Sequence, residues 1–98
     1  MKNKSKNVKI ERTLNDANLY SYNKNVCCIS FSTTGELMYI TLGKYWDFSI
    51  TTRKHVYDFL NDFNIDVNNK NVVENAIENG FIVSNGYKIS LYYDGGME

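Results

Sequence analysis

An α+β fold, with an antiparallel β-meander followed by two helices and a C-terminal β-hairpin, is predicted by three features of the sequence. Apolar side chains keep a period of two as far as Ile50. From Val56 onward they recur at i, i+3, i+4 and i+7. Near the end, an Asn85-Gly86 pair separates two short apolar runs. A strand shows alternate residues to one face, whereas a helix returns to the same face every three to four residues, so the change of period marks a change of element.

Val8, Ile10 and Leu14 predict a short first strand around residues 8–14. Asn15, Asp16 and Asn18 supply turn chemistry, and Leu19 to Tyr22 reads as extended before the polar break Asn23–Asn25. Val26 to Thr33 is the next strand, with Cys27, Ile29 and Phe31 on one face and Cys28, Ser30 and Ser32 on the other. After the turn Thr33–Glu36, Leu37 to Leu42 returns with Met38, Ile40 and Leu42 aligned. Gly43-Lys44 turns the chain again, and Tyr45 to Ile50 is predicted as a strand carrying Trp46, Phe48 and Ile50 on one face.

Val56, Phe59, Leu60 and Phe63 then form the apolar stripe of an amphipathic helix that stops at Asn64. Thr51 or Thr52 is expected as its N-cap, because a hydroxyl there satisfies an orphan backbone N–H. A second helix over 70–79 buries Val72, Val73, Ala76 and Ile77, with Asn71-x-x-Glu74 as a capping box and Gly80 as a left-handed C-cap. Phe81–Ser84 and Tyr87–Tyr93 pair across Asn85-Gly86 in a two-residue type I′ turn. With no repeat or linker, residues 1–98 read as a single domain, 1–7 as a flexible basic arm and 94–98 as a frayed tail.

The 43% apolar and 14% aromatic content, with eight tyrosines, suits a packed core and excludes a wholly disordered chain. No apolar run approaches the ~20 residues of a membrane span, and no signal peptide is evident. Cys27 and Cys28 are adjacent and point to opposite faces of a strand, so they read as reduced thiols of a cytoplasmic protein, one of them packed inward. Without C-x-x-C spacing or a second ligand cluster, neither a metal nor a cofactor is expected.

Eleven basic and eleven acidic residues balance overall, but not locally. Residues 1–55 carry nine basic and four acidic side chains, and residues 56–98 carry two and seven. Asp58 and Asp62 on the first helix, and Glu74 and Glu78 on the second, are like-charge pairs at i, i+4. Such pairs cost a helix a few tenths of a kcal/mol. They read either as a solvated polar face or as an acidic surface that docks on a basic partner, such as a groove that otherwise holds nucleic acid. Tyr92 or Tyr93 would be the aromatic anchor, since tyrosine gives large, rigid, amphipathic contact area. The opposite patch, Lys2, Lys4, Lys6, Lys9 and Arg12, reads as a solubilising arm or as a weak phosphate contact.

His55 is the only histidine, with no carboxylate at a spacing that guarantees contact; it is expected to make a structural hydrogen bond at the helix start. No Gly-rich phosphate loop, H-E-x-x-H or G-x-S-x-G is present, so no enzyme is expected. Helix, helix, hairpin is also the order of a winged helix. Its recognition helix would carry Glu74 and Glu78 against Lys70 alone, and phosphate repulsion opposes that docking.

Leu19-Tyr20-Ser21-Tyr22-Asn23 and the later run Ser49-Ile50-Thr51-Thr52-Arg53-Lys54-His55, followed by Phe59-Leu60, resemble a group of small uncharacterised phage and mobile-element proteins with an L-Y-S-Y-N … S-x-T-T-x-x-H pattern. The resemblance covers about residues 19–60. It departs at Lys24, where the group prefers threonine, and at Cys27 and Cys28, near its small residue. Fourteen asparagines, and nine lysines against two arginines, look like the product of an AT-rich genome, such as that of a low-GC bacterium or one of its phages. Small phage proteins of this kind include inhibitors of host defence, among them anti-CRISPR proteins. By that context the chain is expected to bind and block a host protein such as a CRISPR effector, without taking nucleic acid as its direct ligand. The alternative is a small nucleic-acid-binding regulator using the basic arm. A third is self-association through the aromatic strands. The Ser49, Thr51, Thr52 and His55 cluster reads as a strand-to-helix corner held by caps.

Overall fold

Alternation over the first part of the chain builds four strands, β1 (Val8–Arg12), β2 (Asp16–Ser21), β3 (Lys24–Phe31) and β4 (Leu37–Gly43). The helical stripes follow as α1 (Ile50–Asp62) and α2 (Lys70–Asn79), and the chain closes with β5 (Phe81–Ser84) and β6 (Tyr87–Asp94). This computed structural model describes residues 7–95. All six strands form one mixed sheet in the order β1-β2-β3-β4-β6-β5. The α+β class is therefore as expected, but the sheet is not a meander with a separate hairpin. β5 and β6 do pair antiparallel, yet β6 lies parallel to β4, with Ile40 opposite Leu91. The two helices and then β5 carry the chain back and forth across the sheet, so it is β6, and not the first strand after the helices, that runs parallel to β4.

Tyr45–Ile50 is not a strand. Gly43 ends β4, and two tight turns follow, with Trp46 N–H donating to Gly43 C=O (3.1 Å) and Phe48 N–H to Tyr45 C=O (3.1 Å). Trp46 turns into the core while Phe48 and Ile50 stay exposed. The α1 cap is Ser49 rather than Thr51 or Thr52: its Oγ accepts from Thr52 N–H (3.1 Å), which places Thr52 inside the first turn. In α2 the cap is Asn69, accepting from Val72 N–H (3.1 Å), two residues before the expected box. Gly80 takes the left-handed cap at φ 84°, as expected.

The first hairpin is also displaced. Thr13 and Asp16 close the turn, through Asp16 N–H on Thr13 Oγ1 (3.0 Å) and Thr13 N–H on Asp16 C=O (2.9 Å), so Leu14 sits at an exposed tip. Tyr22 and Asn23 form the next two-residue turn, at φ 51° and 66°. Asn85 and Gly86 do the same at φ 52° and 83°, the positive pair that a type I′ turn requires. Asn7 is tied to that second turn through Tyr22 N–H on its carbonyl (2.8 Å), and Asp94 ends β6, so neither belongs to a free arm or tail. The rest of the expected arm and tail, 1–6 and 96–98, lies outside the described residues.

Both helices cover one face of the sheet. Leu19, Ile29, Ile40, Leu42 and Leu91 meet Val56, Phe59, Leu60 and Val73 in a single core. Two bulges adjust the pleat. At the Leu19/Tyr20 shift, Val26 is the extra residue and is buried beside Cys27; at the Ser30/Phe31 shift, Met38 is extra and exposed, so Leu37 packs in its place. Cys27 and Cys28 are free thiols, the first buried and the second half-buried. Among the described residues, no helix is long and apolar enough to cross a membrane.

Candidate functional site

The two halves of the L-Y-S-Y-N … S-x-T-T-x-x-H pattern meet in space. Ser21 ends β2 on the helix-covered face, and the first turns of α1 bring Thr52 and His55 onto it. All three are buried, at 2%, 1% and 3% exposure. Ser21 Oγ lies 2.8 Å from His55 Nδ1 and donates to Thr52 Oγ1 at 3.3 Å. Ser49 Oγ donates to the same Thr52 oxygen at 3.2 Å. A serine hydroxyl has one proton to give. The Ser21–His55 bond can be donated from either side, according to which imidazole nitrogen carries the proton. Burial holds His55 below the ordinary imidazole range, while the Asp58 carboxylate one turn further along α1 pulls the other way. The expected structural hydrogen bond of His55 is thus present, with a partner 34 positions away in the chain.

Above this cluster opens a pocket of about 290 Å³, lined by Ser21, Tyr22, Lys24, Tyr45, Phe48 and Thr52. Its lining is aromatic, with Lys24 beside the rings. Lys24 Nζ and Lys44 Nζ stand 5.3 and 5.1 Å from the centre of the Tyr45 ring, and Tyr45 meets Phe48 edge-on at 6.4 Å. The positive φ of Tyr22 swings its ring out over the corner, 6.2 Å from that of His55. Positive φ is uncommon for a bulky residue.

A second concavity, of about 470 Å³, lies on the other side of the 44–49 loop, lined by Trp46, Asp47, Glu74, Glu78 and Tyr93 among others. Glu74, Glu78 and Tyr93 were expected to share a binding surface, and they line this groove. Asp47 and Trp46, which charge patterning on the helices could not find, complete it. Lys70 is the cation beside it, 3.8 Å from both Asp47 and Glu74. Asp58 and Asp62 are exposed on α1 and do not line the groove. Tyr92 faces the opposite side of the sheet, edge-on to Tyr39 at 5.5 Å.

Of the basic patch, Lys2, Lys4 and Lys6 lie outside the described residues. Lys9 and Arg12 alternate onto opposite faces of β1. Lys9 pairs with Glu11 at 2.9 Å, and the Arg12 guanidinium stacks over Phe31 and Phe63, at 5.1 and 5.4 Å. Burial raises both cysteine thiols above their ordinary range. Among the described residues, no group of three or more His, Cys, Asp and Glu side chains is placed to hold a metal ion.

A family model described as a family of unknown function, DUF8033, matches residues 1–79. No curated protein and no solved structure matches the chain. The matched span contains Ser21, Ser49, Thr52 and His55 and ends with α2, so β5 and β6 lie beyond it.

Proposed function

The chain belongs to the DUF8033 family, and from that premise we propose that it is a non-catalytic binding protein whose acidic groove docks on a basic surface of a partner protein. One observation carries the reading: Asp47, Glu74 and Glu78 line a single groove with Trp46 and Tyr93. Among the described residues that line it, three are carboxylates and none is a lysine or arginine. That excess steers association with a cationic surface, and the two aromatic residues supply the desolvated contact that charge alone does not. A cationic protein surface of this kind commonly holds nucleic acid, so occupation of it is inhibition by exclusion. A host defence protein such as a CRISPR effector is the instance that the phage resemblance suggests.

The test is a pull-down of the tagged protein from a low-GC bacterial lysate, with and without nuclease, followed by association kinetics with the captured protein. Paired Glu74→Lys and Glu78→Lys substitutions should slow association at low salt and flatten its salt dependence. Tyr93→Ala should speed dissociation, and Tyr92→Ala, on the opposite face, should leave it unchanged. An association rate indifferent to both charge reversals would overturn the assignment. Capture that is lost with nuclease would favour the nucleic-acid regulator instead.

A further inference from the structure

We propose that the outer edge of β1 is a dimer seam, on which a second copy of this chain pairs its own β1 antiparallel, centred on Ile10, so that two six-stranded sheets join into one. The way β1 meets β2 fixes which backbone groups face outward. Tyr22 N–H donates to Asn7 C=O (2.8 Å) and Thr13 N–H to Asp16 C=O (2.9 Å), one pair beyond each end of the register that runs from Val8↔Ser21 to Arg12↔Ala17. Hydrogen-bonded pairs alternate with non-bonded ones along an antiparallel ladder. Lys9 and Glu11 therefore turn their N–H and C=O toward β2, and Val8, Ile10 and Arg12 turn theirs away from it. Among the described residues no strand lies beyond β1, so these groups line an open edge, a ready template for another strand.

Charge selects the occupant and its register. A ladder centred on Lys9 sets it opposite the partner's Lys9, and one centred on Glu11 sets two carboxylates opposite each other. Centred on Ile10, the ladder pairs Val8 with the partner's Arg12 and Ile10 with the partner's Ile10, so every outward N–H and C=O is engaged. Lys9 then stands opposite the partner's Glu11 at both ends of the seam, in the non-bonded positions where side chains come closest. Opposite charges directly across a ladder stabilise it, and like charges destabilise it. Lys9 and Glu11 already pair along their own strand at 2.9 Å, but at 68% and 48% exposure. An ammonium has three N–H groups and a carboxylate several lone-pair sites, so the seam adds a partner to each and keeps the first. On the helix-covered face Val8 and Ile10 are only half-buried against the core, and the seam encloses them. Arg12 leans inward over Phe31 and Phe63, away from the edge. The other edge, β5, has four residues and no charge with which to choose a register. The seam shares no residue with the acidic groove, so each can fail without the other.

Sedimentation equilibrium of the full chain, from micromolar to millimolar concentration, should show monomer passing to dimer. Lys9→Glu and Glu11→Lys should each weaken the dimer about tenfold, because both symmetry-related contacts turn from attraction to repulsion. The Lys9→Glu/Glu11→Lys double variant should restore it, and the two single variants mixed in equal amounts should associate more tightly than either alone. Both side chains are exposed, so the variants keep the fold. Amide hydrogen exchange locates the seam. Val8, Ile10 and Arg12 should gain protection as concentration rises, while Lys9 and Glu11, bonded to β2 throughout, should not. A chain that stays monomeric to millimolar concentration overturns the proposal. So does a dimer indifferent to the single reversals, a double variant that does not restore it, or concentration-dependent protection without this alternation.

Discussion

Replacing Ser21 by alanine isolates the contact that joins the two sequence patterns. The substitution removes the 2.8 Å bond to His55 Nδ1 and the 3.3 Å bond to Thr52 Oγ1. Residues 21 and 55 are 2% and 3% exposed, so both bonds are lost from a buried position. Thr52 keeps the donation from Ser49, and loss of the longer bond costs about 0.5 kcal/mol. The imidazole Nδ1 is left without its partner, a penalty of about 1–3 kcal/mol. The sum is about 2 kcal/mol. Unfolding entropy scales as ~2.1 cal/mol/K per residue, or about 0.2 kcal/mol/K for a chain of this length, so Tm should fall by about 10 °C. Thermal and urea unfolding measure the loss. His55→Leu and the double variant complete a cycle whose coupling energy should be about 1 kcal/mol. A loss under about 0.5 kcal/mol for Ser21→Ala, or additive effects in the cycle, would refute the reasoning.

The pH dependence has a definite sign. Burial depresses the His55 pKa in the folded state, so the unfolded chain takes up the proton first. The stability that the neutral imidazole supports is complete above its ordinary value of about 6.5 and is lost as pH falls through that value toward the folded one. The parent should therefore lose more Tm than His55→Leu on acidification, and parallel pH profiles would contradict this. Phe59 is fully buried and meets Phe63 edge-on at 5.3 Å; Phe59→Ala should cost about 3–5 kcal/mol by denaturant midpoint, against under about 0.5 kcal/mol for exposed Phe48→Ala. Cys27 and Cys28 should resist thiol reagents in the native protein and both react on unfolding, because burial raises both thiols; one rapidly labelled native thiol would count against the placement.

Local chemistry was legible and long-range pairing was not. Asn85-Gly86 and Gly80 were readable because positive φ is a property of the residue itself. Tyr45–Ile50 was misread because alternation is a necessary sign of a strand but not a sufficient one. Here Trp46 is buried by a turn that packs on α2, while Phe48 and Ile50 reach solvent. Ser49, Thr51 and Thr52 offer the same capping chemistry within four residues, and only the fold selects Ser49. Met38 and Leu37 exchanged places at a bulge, which inserts one residue without any compositional mark. Of the sites, the charges of Glu74 and Glu78 were visible from helical spacing, but Asp47 comes from a loop that had been read as a strand. The Ser21–His55 bond could not be derived from either residue's neighbours. Its one trace in the sequence was the joint occurrence of L-Y-S-Y-N and S-x-T-T-x-x-H.

The place of β6, between β4 and the edge strand β5, bears on how the chain folds as it is made. Ile40 and Leu91 are neighbours in the sheet yet about fifty residues apart along the chain, so their loop must close before the parallel pairing contributes. The β1–β4 hairpins and both helices can form as they leave the ribosome, but β4 keeps an unpaired edge beside Leu42 until residues 87–94 have emerged. An intermediate stalled at the end of α2 would display that edge to other nascent chains, the ordinary route to strand-by-strand aggregation. Completion of the final hairpin is then the step that seals the sheet, with short β5 left as the outer rim.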